Sequence, residues 1–297
     1  MIVLAHAAAV MAAAAQVAGA QAAEAPAAVD PPSTAAVLAL AVLQGLTEFL
    51  PVSSSGHLAL GRAVLGVREG GLALDVALHV GTLAAIVAAF RRDVARLVQD
   101  LFRGDLTLWA WLVVATVPVG VVGMFLKDHV EAASTNVSAA GAGLLLTAAL
   151  LLAGERARRR FEASRGEDDG PTDDRPRLVE AVGMGCAQAV AIWPGVSRSG
   201  STISAGLLMG VRAEQAARLS FLMSIPAISG AAILELPAAL DEGFGGISSG
   251  LVLGAAAVAA LVGFAALRTL LLVLRKGSFR YFAAYCAALG VTALALA

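Results

Sequence analysis

Long apolar segments separated by short charged breaks recur along the chain, and they restrict what it can fold into. A helix needs about 20 mostly apolar residues to cross a bilayer. Six segments reach or approach that length: 72–90, 106–126, 137–154, 215–234, 247–267 and 281–297. Charged residues make up 14% of the chain, whereas a soluble domain has about a quarter. The pattern predicts an all-α, polytopic integral membrane protein with six transmembrane helices.

Basic residues cluster in alternate breaks between these segments. They follow the first, third and fifth segments, at 91–103, 155–177 and 268–280. Because basic loops are retained in the cytoplasm, this alternation places those breaks inside and both ends of the chain outside. The 155–177 break is also rich in acidic residues, Gly and Pro. It is interpreted as a solvated linker that separates residues 29–154 from residues 178–297.

The first 28 residues form a separate unit. They are apolar and rich in Ala, and they end in "AQAAEAP", which resembles a signal-peptide cleavage site. The basic start of a good signal peptide is missing. A cleaved signal peptide and a retained extra apolar segment are therefore both open interpretations.

Cysteine content and net charge exclude some classes of function. The two cysteines, Cys186 and Cys286, lie in apolar context, which predicts buried, inert thiols. The formal net charge is −1, which argues against nucleic acid as a partner.

The stretch "LQGLTEFLPVSSSGHL", Leu43 to Leu58, concentrates polar residues between two short apolar pieces. Ser33 or Thr34 can cap a helix that runs to about Phe49, because a proline at 51 disfavours helical backbone at the preceding residue. A second short helix is predicted from about His57 to Leu65. Neither piece can span a bilayer, so residues 34–66 are predicted to form a re-entrant hairpin whose tip lies in protein or lines a wet cavity.

The same arrangement recurs in "AQAVAIWPGVSRSGSTI", Ala187 to Ile203. An offset of 144 residues pairs the polar positions of the two stretches: Gln44 with Gln188, Ser53 with Ser197, Ser55 with Ser199 and Gly56 with Gly200. Residues 178–211 are therefore predicted to form a second hairpin. Three crossings separate the two hairpins, so the second is inverted relative to the first. Inverted repeats whose polar tips meet near the midplane are typical of transporters.

The predicted tips bring an acid, an imidazole and a guanidinium together. Glu48 and His57 come from the first hairpin and Arg198 from the second. Helix starts with exposed amides and small hydroxyl side chains bind anions, and arginine matches phosphate oxygens. A lone serine is more often a simple helix cap, and Arg198 is either a loop anchor or a phosphate clamp. The set as a whole favours binding of a diphosphate.

These two stretches resemble the two sequence motifs of the bacterial undecaprenyl-diphosphatase family. The likeness begins at about Ala36 and extends to the C-terminus. It implies a membrane hydrolase of the bacterial cell (inner) membrane, with its active site open to the outer, periplasmic side. The family removes one phosphate from a C55 isoprenyl diphosphate, recycles the lipid carrier for cell-wall synthesis, and is linked to bacitracin resistance.

The resemblance also implies roles for individual residues. Catalytic roles fall on Glu48, His57, Ser54 and Arg198, with the nucleophile open between His57 and Ser54. Phosphate binding is expected from Ser53, Ser55, Gly56, Ser197, Ser199, Gly200 and Thr202, with Gln44 and Gln188 in support. A divalent cation, Mg²⁺ or Ca²⁺, is expected on Glu48. Many family members carry an acid where this chain has Gln44.

The expected partner is a polyprenyl diphosphate lipid, and a homodimer is a further possibility. Asp75 and His79, one helical turn apart, are interpreted as packing or supporting residues. The alternative function is a transporter or flippase of a polyprenyl phosphate on the same inverted-repeat scaffold. Transport would not require the set of Glu48, His57 and Arg198.

Overall fold

The computed structural model describes residues 32–67, 71–134, 136–164, 177–276 and 279–297. Helices joined by short turns make up these residues, without any strand in the described ranges. In chain order they are α1 (Thr34–Phe49), α2 (Ser54–Leu65), α3 (Gly71–Ala89), α4 (Arg91–Arg103), α5 (Thr107–Ser134), α6 (Val137–Ser164), α7 (Leu178–Val190), α8 (Arg198–Leu208), α9 (Ala213–Glu242), α10 (Ser249–Lys276) and α11 (Arg280–Leu296). The predicted fold class, an all-α polytopic membrane protein, is confirmed.

Five of the described helices, namely α3, α5, α6, α9 and α10, are long and apolar enough to cross a membrane. The last predicted span, α11, is apolar but has 17 residues, which is shorter than the usual crossing helix. The predicted number of six crossings is therefore not confirmed.

The first hairpin consists of α1 and α2. Ser33 caps α1 by accepting a hydrogen bond from the amide of Ala36 at 3.2 Å. Leu50 leaves the helix with extended backbone, as expected of a residue that precedes proline. Helix α2 begins at Ser54, three residues earlier than predicted, because the serines form its first turn instead of a separate loop.

The second hairpin consists of α7 and α8. Helix α7 ends at Val190, and the turn that follows contains Gly195 with a left-handed φ of +82°. Ser197 then caps α8 through a hydrogen bond from the amide of Gly200 at 3.1 Å. The first residues of α2 and α8, Ser54 and Arg198, are separated by the same offset of 144 that aligns the two sequences.

The helices pack in a reciprocal pattern. Helix α1 packs against α10, and α7 packs against α5. Small residues allow this close approach. A Cβ added to Gly45 would lie 2.8 Å from the carbonyl oxygen of Ala259, and one added to Gly185 would lie 2.7 Å from that of Ala115. Helices α3 and α9 contact each other, as do α6 and α11. A two-fold repeat would produce such pairs, although the inverted repeat itself stays a prediction.

Two predictions about the charged breaks need correction. Helix α6 continues to Ser164, so the start of the predicted 155–177 linker is helical. Glu155 is buried there and accepts hydrogen bonds from Arg158 and Arg159, three and four residues along the helix. The remainder of the linker, 165–176, lies outside the described residues, as do residues 1–28.

The break after the first span is also more ordered than predicted. Residues 91–103 form the amphipathic helix α4, whose buried Leu97 contacts the protein core while its arginines are exposed. Asp93 of α4 accepts a hydrogen bond from Arg218 of α9 at 3.0 Å. The helix was missed because its many arginines look like a loop in a hydropathy pattern.

The prediction of two buried cysteines is half right. Cys286 is buried, whereas Cys186 is exposed on α7. Both thiols are free. An apolar neighbourhood in sequence does not distinguish the protein core from a surface that faces lipid.

Candidate active site

The carboxylate of Glu48 is the centre of the contacts between the two hairpins. Its Oε2 atom accepts hydrogen bonds from the hydroxyl of Ser54 at 2.8 Å and from Nε2 of Gln44 at 3.2 Å. Its Oε1 atom accepts one from Nη2 of Arg198 at 2.6 Å. Glu48 is only 8% exposed. The structure therefore brings four of the predicted site residues into one connected set.

An ion pair between Arg198 and Glu48 connects the two hairpins. A buried charge is tolerated when it is paired and hydrogen-bonded, and the Glu48 carboxylate supplies that partner. The second guanidinium nitrogen, Nη1, is buried and has no hydrogen-bond partner among the described residues. Arg198 thus anchors the loop with one nitrogen and keeps another available for an anion. The two interpretations of this residue, anchor and clamp, are compatible.

Ser53 has an unusual backbone conformation. Its φ of +71° lies in the left-handed region, which is uncommon for residues other than glycine. Its side chain makes no cap hydrogen bond to α2 and lies 3.3 Å from the hydroxyl of Ser55. The first-turn amides of α2 therefore lack a side-chain cap. Such strained residues cluster at functional sites.

His57 contacts a residue that the sequence did not identify. Its Nδ1 atom donates to the carbonyl oxygen of Ser53 at 2.7 Å. In the neutral ring, Nε2 then accepts the hydroxyl hydrogen of Tyr285, with 2.6 Å between the two atoms. The rings stack with centroids 5.6 Å apart. Within the described residues, the hydrogen bonds of His57 go to Ser53 and Tyr285 and not to Glu48. The geometry therefore does not support direct activation of His57 by Glu48.

The loop before α8 approaches the first hairpin closely. Ser199 donates weakly to the carbonyl oxygen of Leu50 at 3.4 Å, and its hydroxyl lies 3.3 Å from that of Ser197. A Cβ added to Gly200 would lie 3.3 Å from Cβ of Pro51. On the other hairpin, a Cβ at Gly56 would lie 3.8 Å from Cα of Gly195. Both glycines therefore lie where the two tips meet.

Two polar residues that the sequence motifs do not reveal, Thr147 and Ser220, contact the second hairpin. The hydroxyl of Thr147 on α6 accepts a hydrogen bond from the amide of Ser197 at 2.9 Å. Its own hydrogen is shared between the carbonyl oxygens of Gly143 at 3.0 Å and Gly195 at 3.1 Å. Thr202, a predicted phosphate ligand, has its hydroxyl 2.6 Å from that of Ser220 on α9. The contacts of Thr202 thus fix α8 to α9 and do not point to the Glu48 set.

The two supporting glutamines behave differently. Gln44 donates to Glu48 through Nε2, while its Oε1 atom is buried without a partner among the described residues. Gln188 is 1% exposed, and neither of its side-chain polar atoms has a partner in that part of the chain. The structure therefore places Gln44 in the site, whereas no hydrogen bond joins the side chain of Gln188 to the site within the described residues.

His79, interpreted from the sequence as a packing or supporting residue, lies close to the site. Its Nε2 atom is 3.9 Å from Oε2 of Glu48, and its Nδ1 donates to the carbonyl oxygen of Asp75 at 2.8 Å. Asp75 itself forms an ion pair with Arg62 of α2. Together these residues tie α3 to the first hairpin.

The site offers a partial set of ligands for a hard cation. No group of three or more His, Cys, Asp or Glu side chains suited to a metal exists among the described residues. However, Mg²⁺ is commonly held by one or two protein oxygens together with substrate phosphates and water. Glu48 and the unpartnered Oε1 of Gln44 provide such oxygens. The residues present fit a cation that is completed by a diphosphate.

Comparisons with known proteins cover most of the chain. Residues 37–292 match the family model described as bacitracin resistance protein BacA. An undecaprenyl-diphosphatase of Rubrobacter xylanophilus is 43% identical over 86% of this chain and 96% of its own length. The undecaprenyl-diphosphatase of Desulforapulum autotrophicum is 38% identical over the same shares, and that of Methanosphaera stadtmanae is 36% identical over 88% of this chain and 97% of its own length.

Proposed function

The chain belongs to the bacitracin resistance protein BacA family, and on this premise we propose that it is an undecaprenyl-diphosphatase. It hydrolyses undecaprenyl diphosphate to undecaprenyl phosphate and inorganic phosphate, and so returns the lipid carrier to peptidoglycan synthesis. The observation that carries this proposal is the contact of Glu48 with both Ser54 and Arg198. These contacts put a base, a hydroxyl nucleophile and a phosphate-binding cation within one hydrogen-bonded set.

Ser54 is the better candidate for the nucleophile. Its hydroxyl already donates to Glu48, which can take its proton as the oxygen attacks the terminal phosphorus. The bond from that phosphorus to the bridging oxygen breaks, and the lipid monophosphate leaves. Glu48 passes its proton to the departing phosphate and then accepts a proton from the water that attacks the phosphoserine. The bond from phosphorus to the serine oxygen breaks, inorganic phosphate is released, and Glu48 returns the proton to the Ser54 oxygen. His57 is less suited because its Nε2 atom is engaged by Tyr285.

Arg198 and the helix starts would stabilise the charge that grows on the phosphoryl oxygens. The unpartnered Nη1 atom can donate to a phosphate oxygen while Nη2 keeps its contact with Glu48. The uncapped first turn of α2 adds backbone amides and the positive end of a helix dipole. Electrostatic stabilisation of this kind supplies most of the catalysis in phosphoryl transfer.

A divalent cation, Mg²⁺ or Ca²⁺, is part of the proposal. Glu48 and Gln44 would hold it, and when bound it would neutralise charge on the diphosphate. With a glutamine at position 44, the protein contributes a single carboxylate to this ion.

We place the site in a bacterial inner membrane, open to the outer side. The basic residues of the alternate breaks support this orientation through the positive-inside rule. The polyprenyl tail keeps the substrate in the membrane, so the polar site must be presented at membrane depth by the two hairpins. A flippase would have no use for the contact of Ser54 with Glu48, which favours the hydrolase.

Phosphate release from undecaprenyl diphosphate by the purified protein in detergent tests the function. We expect release with added Mg²⁺ or Ca²⁺, and loss of release with a chelator or with Glu48→Gln. Undiminished release by Glu48→Gln would point to a contaminating phosphatase. Lack of release by wild-type protein, under conditions where a relative is active, would contradict the proposal.

A further inference from the structure

An apolar groove lies beside the tip of the second hairpin. Its volume is about 490 Å³, within the usual range for small-molecule sites. Helices α5 and α6 form two walls and the end of α7 with its turn forms the third. The lining residues are all apolar: Val122, Leu126, Val130, Ala142, Gly143, Leu146, Ala189, Val190, Ile192 and Trp193.

The groove and the candidate active site border the same loop, residues 191–197. Gly143, which lines the groove, packs against that loop so closely that a Cβ would lie 2.1 Å from the carbonyl oxygen of Pro194. One turn further along α6, Thr147 bonds to the amide of Ser197. Trp193 in the groove precedes Arg198 by five residues, so their Cα atoms are at most about 18 Å apart.

We propose that this groove, lined by the residues given above, binds the first isoprenyl units of the lipid tail of the substrate. The inference rests on the proposed function, since it concerns the tail of a diphosphate whose head lies at Glu48 and Arg198. The tail of such a substrate must pass from the phosphate site into apolar surroundings, and a groove beside that site supplies them. The groove does so without a charged residue in its lining.

The position of the groove along the helices agrees with the proposed orientation. It uses the C-terminal half of α5 and the N-terminal half of α6, the ends that flank Asn136. The basic residues place Asn136 on the outer side. The tail would therefore lie in the half of the membrane from which the diphosphate enters.

Ala142 allows the groove to be filled without disturbing the loop. It is exposed on α6 and lines the groove, whereas Gly143 next to it cannot accept a side chain. Ala149, two turns further along α6, is equally exposed and is not part of the lining. The pair Ala142→Phe and Ala149→Phe thus differs mainly in whether the new ring occupies the groove.

We expect Ala142→Phe to raise the KM for undecaprenyl diphosphate about tenfold, with little change in kcat or Tm, because a filled groove weakens substrate binding rather than chemistry. Ala149→Phe should leave all three unchanged. A KM for Ala142→Phe equal to that of Ala149→Phe would overturn the proposal.

Photo-crosslinking separates this proposal from the proposed function. The probe is a polyprenyl monophosphate with a diazirine on its first isoprenyl units. Crosslinks to α5, α6 or residues 189–193 support the groove even if the protein hydrolyses no diphosphate. Crosslinks confined to other helices overturn it even if hydrolysis is observed.

Discussion

The two hairpins have related sequences and the same helical outline, yet their tips differ in chemistry. The offset of 144 places Ile192 where the first hairpin has Glu48, and Ser201 where it has His57. Arg198 takes the position of Ser54. The acid Glu48 and the proposed nucleophile Ser54 therefore come from one hairpin, and Arg198 comes from the other. If the two hairpins are a repeat, as predicted, each copy supplies a different part of the candidate site.

The tips also differ in backbone. Ser197 has ordinary extended backbone and caps α8 with its hydroxyl. Its counterpart Ser53 has a left-handed φ and leaves α2 without a side-chain cap. The start of α8 is thus stabilised by its own cap, while the uncapped start of α2 remains available to an anion. The strained backbone and the missing cap occur on the hairpin that carries Glu48 and the proposed nucleophile.

The predicted opposite orientation of the two hairpins in the membrane gives an all-or-none test. After Cys186, the exposed native thiol, is replaced by serine, a cysteine at Asn136 should react with an impermeant thiol reagent on intact cells. A cysteine at Arg159 should react only after the membrane is opened, because the basic residues around it face the cytoplasm. Labelling at 159 from outside would contradict the orientation.

The acid on the first hairpin should give the largest kinetic effect. Glu48→Gln is expected to lower kcat by about 10²–10⁴-fold, since the glutamine cannot accept the proton of Ser54. Gln44→Ala should cost less, and Gln44→Glu should be tolerated. Glu155→Gln removes another buried, paired carboxylate far from the hairpin tips in sequence and is the matched control. Equal losses for Glu48→Gln and Glu155→Gln would indicate a general folding defect.

The cation on the second hairpin should give the next effect. Arg198→Lys keeps a positive charge beside Glu48 but loses the second donor nitrogen. The expected loss of kcat/KM is about 2–4 kcal/mol, comparable to the loss of one oxyanion donor. Arg218→Lys, in the ion pair with Asp93, serves as the control. An Arg198→Lys variant with wild-type kcat/KM and a lowered Tm would leave Arg198 as a loop anchor only.

The smallest effect is expected on thermal stability, at the two serines that precede α2 and α8, Ser53 and Ser197. Ser197→Ala removes the hydrogen bond to the amide of Gly200 and should lower stability by about 1 kcal/mol. Ser53→Ala removes no cap and should leave Tm close to wild type. Ser53→Gly should keep or raise Tm, because glycine accepts the left-handed backbone. A larger loss of Tm for Ser53→Ala than for Ser197→Ala would contradict the claim that only Ser197 stabilises its helix as a cap.

The sequence is sufficient to locate both hairpins because their signals are local. A proline after an apolar helix marks each tip, at Pro51 and Pro194, and the repeated serines and glycines mark each helix start. The sequence also identifies Glu48, Ser54 and Arg198, which the structure brings together. Their positions within two short motifs are enough to identify them as candidate site residues.

Long-range partners could not be predicted in this way. Tyr285 contacts His57 from 228 residues away, and Thr147 holds a loop 50 residues further on. Each is a polar residue within an apolar helix, and the sequence around it does not indicate which distant residue it contacts. The sequence did not predict helix after Gly154 because a run of charged residues is typical of a linker. The structure shows that Glu155 pairs with Arg158 and Arg159 along one face of α6.

The central claim is that the two hairpins form one hydrolytic site. A double-mutant cycle of Glu48→Gln and Arg198→Lys, measured as kcat/KM for phosphate release from undecaprenyl diphosphate, tests it most directly. Residues that act on the same phosphoryl group are not additive. We therefore expect the double variant to lie within about tenfold of the slower single variant. A loss equal to the product of the two single losses would show that the residues act independently, and would contradict a shared site.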